Sequence, residues 1–178
     1  MRHTRRAFVT SAIYASTSLH PHASLAASPL TVRFYADVTR ETCRQLTDAL
    51  AERVQERTAM MSVLGLSVPP PIHLHVNSHG GSLMDGLYVY DVLRGTSNVR
   101  THVEGMVASA ATLLTVAGSH RTISPHSVML VHQPSMWTQG EYKYELMRDE
   151  HANMEECVKM LVEIYNETTT SSVAELAR

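Results

Sequence analysis

Hydrophobic positions recur along the chain with two different periods, and these periods predict strands and helices in turn. Apolar and β-branched residues at alternate positions predict strands over residues 30–35, 72–76, 99–103 and 127–132. Apolar residues at helical spacing predict helices over residues 39–61, 83–93, 109–117 and 141–165. Strands that alternate with helices indicate an α/β fold with a largely parallel sheet.

Two turns rich in small residues follow predicted strands. The segment 75–82 ends a strand in the pair Gly80-Gly81, and adjacent glycines let a substrate lie close against the backbone. The segment 105–111 places Ser109 at the start of the apolar helix, where backbone N–H groups are free and the helix dipole is positive. Both turns leave the carboxyl ends of strands, which is where parallel sheets place their functional sites.

His132 completes a candidate set for nucleophilic catalysis, 23 positions after Ser109. A serine hydroxyl is a weak nucleophile unless a base takes its proton and backbone N–H groups hold the resulting oxyanion. The sequence therefore predicts Ser109 as nucleophile, His132 as base and the double-glycine turn as an oxyanion loop. The alternatives are a small residue tolerated at a helix start for Ser109 and a buried structural histidine for His132.

These three blocks resemble the proteolytic subunit of Clp protease, the ClpP family of serine peptidases, from about residue 30 to the end of the chain. They read Ile72-His-Leu-His-Val-Asn-Ser-His-Gly-Gly-Ser82, Gly105-Met-Val-Ala-Ser-Ala-Ala111 and Val128-Met-Leu-Val-His-Gln-Pro134. The resemblance implies an α/β fold of the ClpP/crotonase type, with repeated β-β-α units and a protruding handle helix. It also implies that Ser109 is the nucleophile, that His132 is the general base, and that the N–H groups of Gly81 and Ala110 form the oxyanion hole.

The resemblance further implies a serine endopeptidase that acts as the proteolytic subunit of an ATP-dependent Clp protease. Its subunits would form two stacked seven-membered rings, and a AAA+ unfoldase would supply unfolded polypeptides and use the ATP. We expect no cofactor or metal in this chain and no nucleic-acid or membrane partner. The alternatives are a non-catalytic structural subunit of a Clp ring, a phage-type ClpP-like maturation protease, and a crotonase-type enzyme acting on coenzyme A thioesters.

The chain departs from the family's pattern on either side of His132. His79 stands where the family usually has proline. The segment 135–140 replaces a strand that is often glycine-rich in the family and binds peptide. It contains Met136 and Trp137, which we interpret as interface anchors ahead of the handle helix.

The acid of a catalytic triad has no clear candidate. Asp149 is the only aspartate after His132, and its place within a predicted helix indicates a solvated charge rather than a triad member. Residues 172–175 form a capping box, which predicts a further helix shortly before the chain ends at Arg178. We therefore expect the triad acid beyond Arg178.

The charge distribution sets the first residues apart. Residues 1–36 hold four arginines and no acid, whereas the remaining residues hold 11 basic and 17 acidic side chains. We expect residues 1–28 to be an N-terminal extension or targeting segment and residues 29–178 to be a C-terminally incomplete ClpP-like protease domain. A transit peptide would direct the protein to the mitochondrial matrix or plastid stroma, a bacterial export signal is an alternative, and otherwise the protein would be cytoplasmic.

Two further residue groups allow a metal or redox interpretation. His73 and His75 share a strand face, and His79 lies nearby, but no adjacent Cys or acid completes a ligand set. We therefore interpret these histidines as solvent-facing. Cys43 and Cys157 lie more than a hundred positions apart, which is typical of reduced thiols rather than of a disulfide framework.

Overall fold

Strands and helices alternate through residues 30–135 and 143–170, which the computed structural model describes. The strands are β1 Thr31–Phe34, β2 Ile72–Ser78, β3 Val99–Ala108, β4 His120–Ile123 and β5 Val128–Leu130. The helices are α1 Arg40–Leu64, α2 Leu83–Gly95, α3 Ala111–Val116 and α4 Tyr144–Thr168. The predicted segment 1–28, the residues Met136 and Trp137, and the capping box 172–175 lie outside the described residues.

The strands pair in parallel in one sheet with the order β1-β2-β3-β4, and β5 also pairs with β3. The first half of β3 pairs with β4 and its second half with β5. The change of partner falls at Gly105, whose φ of 64° lies in the left-handed region. A helix separates each of the first three strands from the next, whereas β5 follows β4 directly. The predicted α/β class with a parallel sheet is confirmed.

The core lies between the sheet and the first three helices. Along β2 every second side chain points to the helices, and Ile72, Leu74 and Val76 are completely buried there. Leu46 and Leu50 of α1 belong to the same buried cluster. Burying a side chain of this size stabilises the fold by about 1.5–3 kcal/mol. The apolar alternation of β2 and the helical stripe of α1 therefore fix which face of each element turns inward.

Local signals set the ends of the longest core helix. Thr39 caps α1, because its hydroxyl accepts a hydrogen bond from the N–H of Thr42, whose own hydroxyl accepts from the N–H of Thr39. Gly65 ends α1 in a left-handed conformation, with a φ of 63°. The predicted helix over residues 39–61 is confirmed, and it runs three residues further than predicted.

The last two strands differ from the prediction. The sequence predicted one strand over residues 127–132, but β5 ends at Leu130, so His132 lies beyond the strand. The strand β4 was not predicted. All four of its residues, from His120 to Ile123, are exposed, so no alternation of buried and solvent-facing positions marks this strand in the sequence.

The helix α4 is buried only near its C-terminal end. Tyr165 and Thr168 are buried, whereas Tyr144, Leu146 and Met147 at its beginning are exposed. The predicted helix over residues 141–165 therefore packs on this subunit mainly over its last turns. Among the described residues, no helix is both long enough and apolar enough to cross a membrane.

Candidate active site

One cavity of about 240 Å³ brings together all four residues that were predicted for the site. Ser109, His132, Gly81 and Ala110 all line it. Its remaining lining residues are Ser82, Leu83, Pro134, Ser135, Leu161 and Tyr165. A second cavity, of about 340 Å³, lies along β1 and α1 and is lined by no serine, histidine or cysteine. The first cavity is therefore the candidate active site.

Ser109 lies in a strained turn between β3 and α3. Its φ is 55°, a left-handed value that costs a residue with a side chain about 1–2 kcal/mol. Three hydrogen bonds hold the turn: the Ser109 N–H donates to the Leu130 carbonyl at 2.9 Å, and its own carbonyl accepts from the N–H and hydroxyl of Thr112 at 3.0 and 2.6 Å. The prediction that Ser109 begins the helix is wrong by two residues, because this turn delays the start of α3 to Ala111.

The double-glycine turn packs directly against the turn that carries Ser109. A Cβ added to Gly80 would lie 2.6 Å from the Cβ of Ser109, so only glycine permits this approach. Gly80 and Gly81 have φ values of 100° and 146°, which side chains rarely allow. The Val38 N–H donates to the Gly80 carbonyl at 2.8 Å and anchors the turn to the segment after β1.

Two backbone donors at the cavity remain available to a ligand. Among the hydrogen bonds of the described residues, none uses the N–H of Gly81 or of Ala110. Both residues line the cavity that also contains Ser109. Free N–H groups aimed at one point stabilise a developing oxyanion, since they replace the hydrogen bonds that water would supply. These two groups could therefore act on a substrate held beside Ser109.

His132 is exposed, and its ring is oriented by its own backbone neighbour. Its Nδ1 lies 2.6 Å from the carbonyl oxygen of Gln133. Because a carbonyl oxygen can only accept, Nδ1 carries the hydrogen, and the lone pair of the neutral ring is on Nε2. Among the described residues no hydrogen bond joins His132 to Ser109. The exposure of His132 argues against a buried structural histidine and leaves Nε2 able to take a proton.

No carboxylate of the described residues lines the cavity. Asp149 lies exposed near the beginning of α4 and is not one of the lining residues. This position agrees with the interpretation of Asp149 as a solvated helix charge. The Gln133 carbonyl is therefore the group that selects the tautomer of His132 in this arrangement.

The sequence analysis did not identify two residues that reach the site. Tyr165 of α4 lines the cavity, and its hydroxyl forms a hydrogen bond with Thr112 of α3. The sequence analysis placed both residues within predicted helices, over residues 141–165 and 109–117, and gave neither of them a role in the site. Neither residue carries a local signal, because their contact joins positions 53 apart in the sequence.

The prediction that the histidines of β2 face the solvent is wrong for His73 and His75. His73 and His75 are half-buried: Nδ1 of His73 lies 2.8 Å from Nε2 of His102, and Nδ1 of His75 lies 2.7 Å from a carboxylate oxygen of Glu104. Their rings also stack on that of His102. His79 is exposed, as predicted. The partners were missed because they lie on the neighbouring strand β3. Across the described part of the chain, no group of three His, Cys, Asp or Glu residues is arranged to hold a metal ion.

This stack, made of His73, His75, His102 and Glu104, changes how its members titrate. Burial lowers the pKa of His102 to about 4, and the neighbouring His75 and His73 add to the effect. Burial, together with the charge of Arg100, also lowers the pKa of His73. For Glu104, burial raises the pKa, but the hydrogen bonds from Tyr35 and His75, together with the charges of His75 and His102, leave the pKa below its ordinary value.

Comparison with known proteins relates this chain to the Clp proteases. It is 37% identical over 102 residues to the ATP-dependent Clp protease proteolytic subunit of Bacteroides fragilis, a match that covers 54% of this chain and 47% of that protein. It is 38% identical over 93 residues to the subunit of the same name from Bdellovibrio bacteriovorus, covering 50% of this chain and 42% of that protein. The chain thus spans about half the length of the curated relatives it matches.

Similarity extends to a solved structure and to a family-wide pattern. A mutant ClpP1 from Listeria monocytogenes has the same fold, with a TM-score of 0.65 at 20% identity over 83% of this chain and 76% of that one. The sequence profile of the Clp protease family matches residues 29–178. Because that match includes both turns and the segment of His132, this chain belongs to the Clp protease family.

Proposed function

We propose that this chain is a serine endopeptidase, the proteolytic subunit of an ATP-dependent Clp protease. The observation that carries the proposal is the single cavity shared by Ser109, His132 and the free N–H groups of Gly81 and Ala110. Each supplies one part that nucleophilic attack on a peptide carbonyl requires. Membership of the Clp protease family supports the same assignment.

The geometry suggests a sequence of proton transfers. The Ser109 hydroxyl oxygen attacks the carbonyl carbon of the scissile peptide while its proton passes to Nε2 of His132. The substrate oxygen becomes an oxyanion, which the N–H groups of Gly81 and Ala110 hold. His132 then donates its proton to the leaving amine as the C–N bond breaks and an acyl-enzyme remains. A water, deprotonated by His132, attacks this ester and releases the new carboxyl terminus and Ser109.

Assembly and energy use follow from the family. The subunits would form two stacked seven-membered rings, and α4 with its exposed Tyr144, Leu146 and Met147 offers apolar surface for contacts between them. A AAA+ unfoldase would feed unfolded polypeptides into the rings and hydrolyse the ATP, so this chain needs no cofactor of its own. The protein would act inside the cell: in the mitochondrial matrix or plastid stroma if residues 1–28 are a transit peptide, otherwise in the cytoplasm.

Labelling by a fluorophosphonate and hydrolysis of a fluorogenic peptide test the proposal together. The parent chain should be labelled at Ser109 and should cleave the peptide. Ser109→Ala should lose both properties at an unchanged circular dichroism spectrum. Ser135 lines the same cavity, so Ser135→Ala is the matched control and should retain both. Equal labelling and cleavage by the parent and Ser109→Ala would remove Ser109 from the mechanism.

A second candidate function is a non-catalytic subunit of a Clp ring. One observation favours it: among the described residues, no carboxylate lines the cavity to stabilise a protonated His132. This function predicts that the parent chain is neither labelled nor active by itself, yet co-assembles with an active Clp subunit in sedimentation experiments. Labelling of Ser109 in the parent chain would exclude it.

A further inference from the structure

Two buried hydroxyl groups link α4 to the turn that carries Ser109. Tyr165 is 5% exposed and Thr112 is completely buried. The Thr112 hydroxyl lies 2.6 Å from the Ser109 carbonyl oxygen and also forms a hydrogen bond with the Tyr165 hydroxyl. A continuous path of two hydrogen bonds therefore joins a residue of α4 to the backbone of the candidate nucleophile.

The direction of both hydrogen bonds follows from the chemistry of the groups. A hydroxyl has one proton, and the Ser109 carbonyl can only accept, so Thr112 donates to Ser109. Thr112 must then accept from Tyr165. Burial raises the pKa of Tyr165 above its ordinary value, although the hydrogen bond with Thr112 opposes this, so the phenol keeps its proton at neutral pH. Tyr165 is thus the terminal donor of the path.

The Ser109 carbonyl matters because it belongs to the same peptide unit as the Ala110 N–H. A peptide unit is planar and trans, so its C=O and N–H groups point in opposite directions and turn together. The hydroxyl and N–H of Thr112 both hold the Ser109 oxygen towards α3, at 2.6 and 3.0 Å. Holding that oxygen fixes the direction of the Ala110 N–H, which is a proposed oxyanion donor.

We propose that Tyr165 and Thr112 are positioning residues that orient the Ser109–Ala110 peptide and so aim the Ala110 N–H at the substrate oxyanion. This inference rests on the proposed function of Ser109. It gives the C-terminal end of α4 a role in catalysis through hydrogen bonds, in addition to its packing. A substrate carbonyl develops most of its charge in the transition state, so a badly aimed donor should lower kcat more than it changes KM.

The experiment compares three variants in the full chain. Tyr165→Phe removes the terminal donor, Thr112→Val removes the central hydroxyl, and Thr112→Ser keeps that hydroxyl. Buried residues of the same type serve as matched controls: Thr115→Val in α3, and Tyr90→Phe in α2, where the tyrosine does not line the cavity. For each variant, kcat and KM for a peptide ester, the rate of fluorophosphonate labelling at Ser109, and the melting temperature are measured.

We expect kcat to fall about threefold to tenfold in Tyr165→Phe and about tenfold or more in Thr112→Val, less than the 10²–10³-fold loss that follows complete removal of an oxyanion donor. KM should stay within about twofold in both variants, since ground-state binding is little changed. Thr112→Ser should restore the parent kcat, and both controls should retain it. The labelling rate should follow kcat.

Parent values of kcat in Tyr165→Phe and Thr112→Val would overturn the inference, as would a loss that Thr112→Ser fails to restore. If Thr112→Val does not fold, Tyr165→Phe and Thr112→Ser decide the question by the same criteria. Absence of labelling at Ser109 in the parent chain would instead overturn the proposed function, and the inference with it. The two failures are therefore distinguishable.

Discussion

The carbonyl oxygen of Val38 occupies the space that a side chain on Gly81 would need. A Cβ added to Gly81 would lie 2.3 Å from that oxygen, well inside contact distance. The same carbonyl accepts a hydrogen bond from the N–H of Ser82 at 2.8 Å, and the N–H of Val38 donates to Gly80 at 2.8 Å. The segment after β1 therefore holds the proposed oxyanion loop from both sides and leaves room only for glycine at position 81.

Gly81→Ala should abolish most of the proposed peptidase activity. The added methyl group must displace either the loop or Val38, and both movements shift the N–H that we assign to the oxyanion hole. Removal of one oxyanion donor costs about 10²–10³ in kcat, so we expect a loss of at least about 100-fold. Hydrolysis of a fluorogenic peptide measures the loss.

Gly81→Ala combines two effects, a side chain at a positive φ and a clash of the added Cβ with Val38. Two other glycines serve to separate these effects. Gly65 has a left-handed φ of 63° but open space around it, so Gly65→Ala should cost about 1 kcal/mol of stability and leave activity intact. Gly95 has open space and an ordinary φ, so Gly95→Ala should be neutral or slightly stabilising. Activity of Gly81→Ala at the level of these controls would show that the loop is not part of the site.

His132→Gln should remove the proposed general base while leaving the fold unchanged, because the side chain is exposed. We expect activity to fall by about 10³-fold or more, as removal of a base does in comparable serine peptidases. Asp149→Asn tests the one aspartate that follows His132 in the sequence and should stay within about twofold of the parent, since Asp149 does not line the cavity. A large loss in Asp149→Asn would mean that this carboxylate reaches His132 in the assembled protein.

The sequence predicted the elements whose burial follows a regular period. The strand β2 buries every side chain of one face, and α1 buries Cys43, Leu46 and Leu50 along one stripe, so their periods are visible and their positions agree with prediction. The strand β4 was missed because its four residues are all exposed in the single chain. Helices and strands were therefore predictable where one of their faces packs against other parts of the same chain.

The residues that meet in the candidate site were predictable from the sequence, whereas their conformation was not. Local turn composition identified Ser109 and Gly81 as members of one site, and the cavity contains both. The left-handed φ of Ser109 was not predictable, because hydrogen bonds from Thr112 and to Leu130 maintain it, and Leu130 lies on another strand. The stack around His102 was missed for the same reason: it forms only when β2 and β3 pair in register.

Stability should fall on mild acidification because of the stack around His102. An unfolded histidine takes up its proton near pH 6.5, whereas burial lowers the pKa of His102 in the folded protein to about 4. Between these values the unfolded chain binds more protons, so the free energy of unfolding decreases as the pH falls through this window. Because the ring is only half-buried, we expect a loss of about 1 kcal/mol between pH 7 and pH 5.

Urea unfolding at a series of pH values measures this loss. His102→Gln removes the titrating group, so its free energy of unfolding should change less between pH 7 and pH 5 than that of the parent. His126→Gln changes an exposed histidine outside the stack, so its free energy of unfolding should fall between pH 7 and pH 5 by as much as that of the parent. If the free energy of unfolding of His102→Gln falls between pH 7 and pH 5 by as much as that of the parent, other groups set the acid sensitivity.

In the proposed assembly of two stacked rings, contact between the rings should depend on the exposed apolar residues at the beginning of α4. Leu146 and Met147 are 47% and 58% exposed in the single chain, although both are apolar, and burying such side chains against a second subunit is favourable by about 1.5–3 kcal/mol each. Changing both to serine should therefore yield single rings or smaller species in sedimentation velocity, at an unchanged circular dichroism spectrum. Glu145 and Arg148 lie on the opposite side of the same helical turn, so changing both of these to serine is the matched control and should leave the sedimentation coefficient at the parent value. If the Leu146 and Met147 double variant sediments like the parent while this control does not, the contact between rings runs along the polar side of α4 instead.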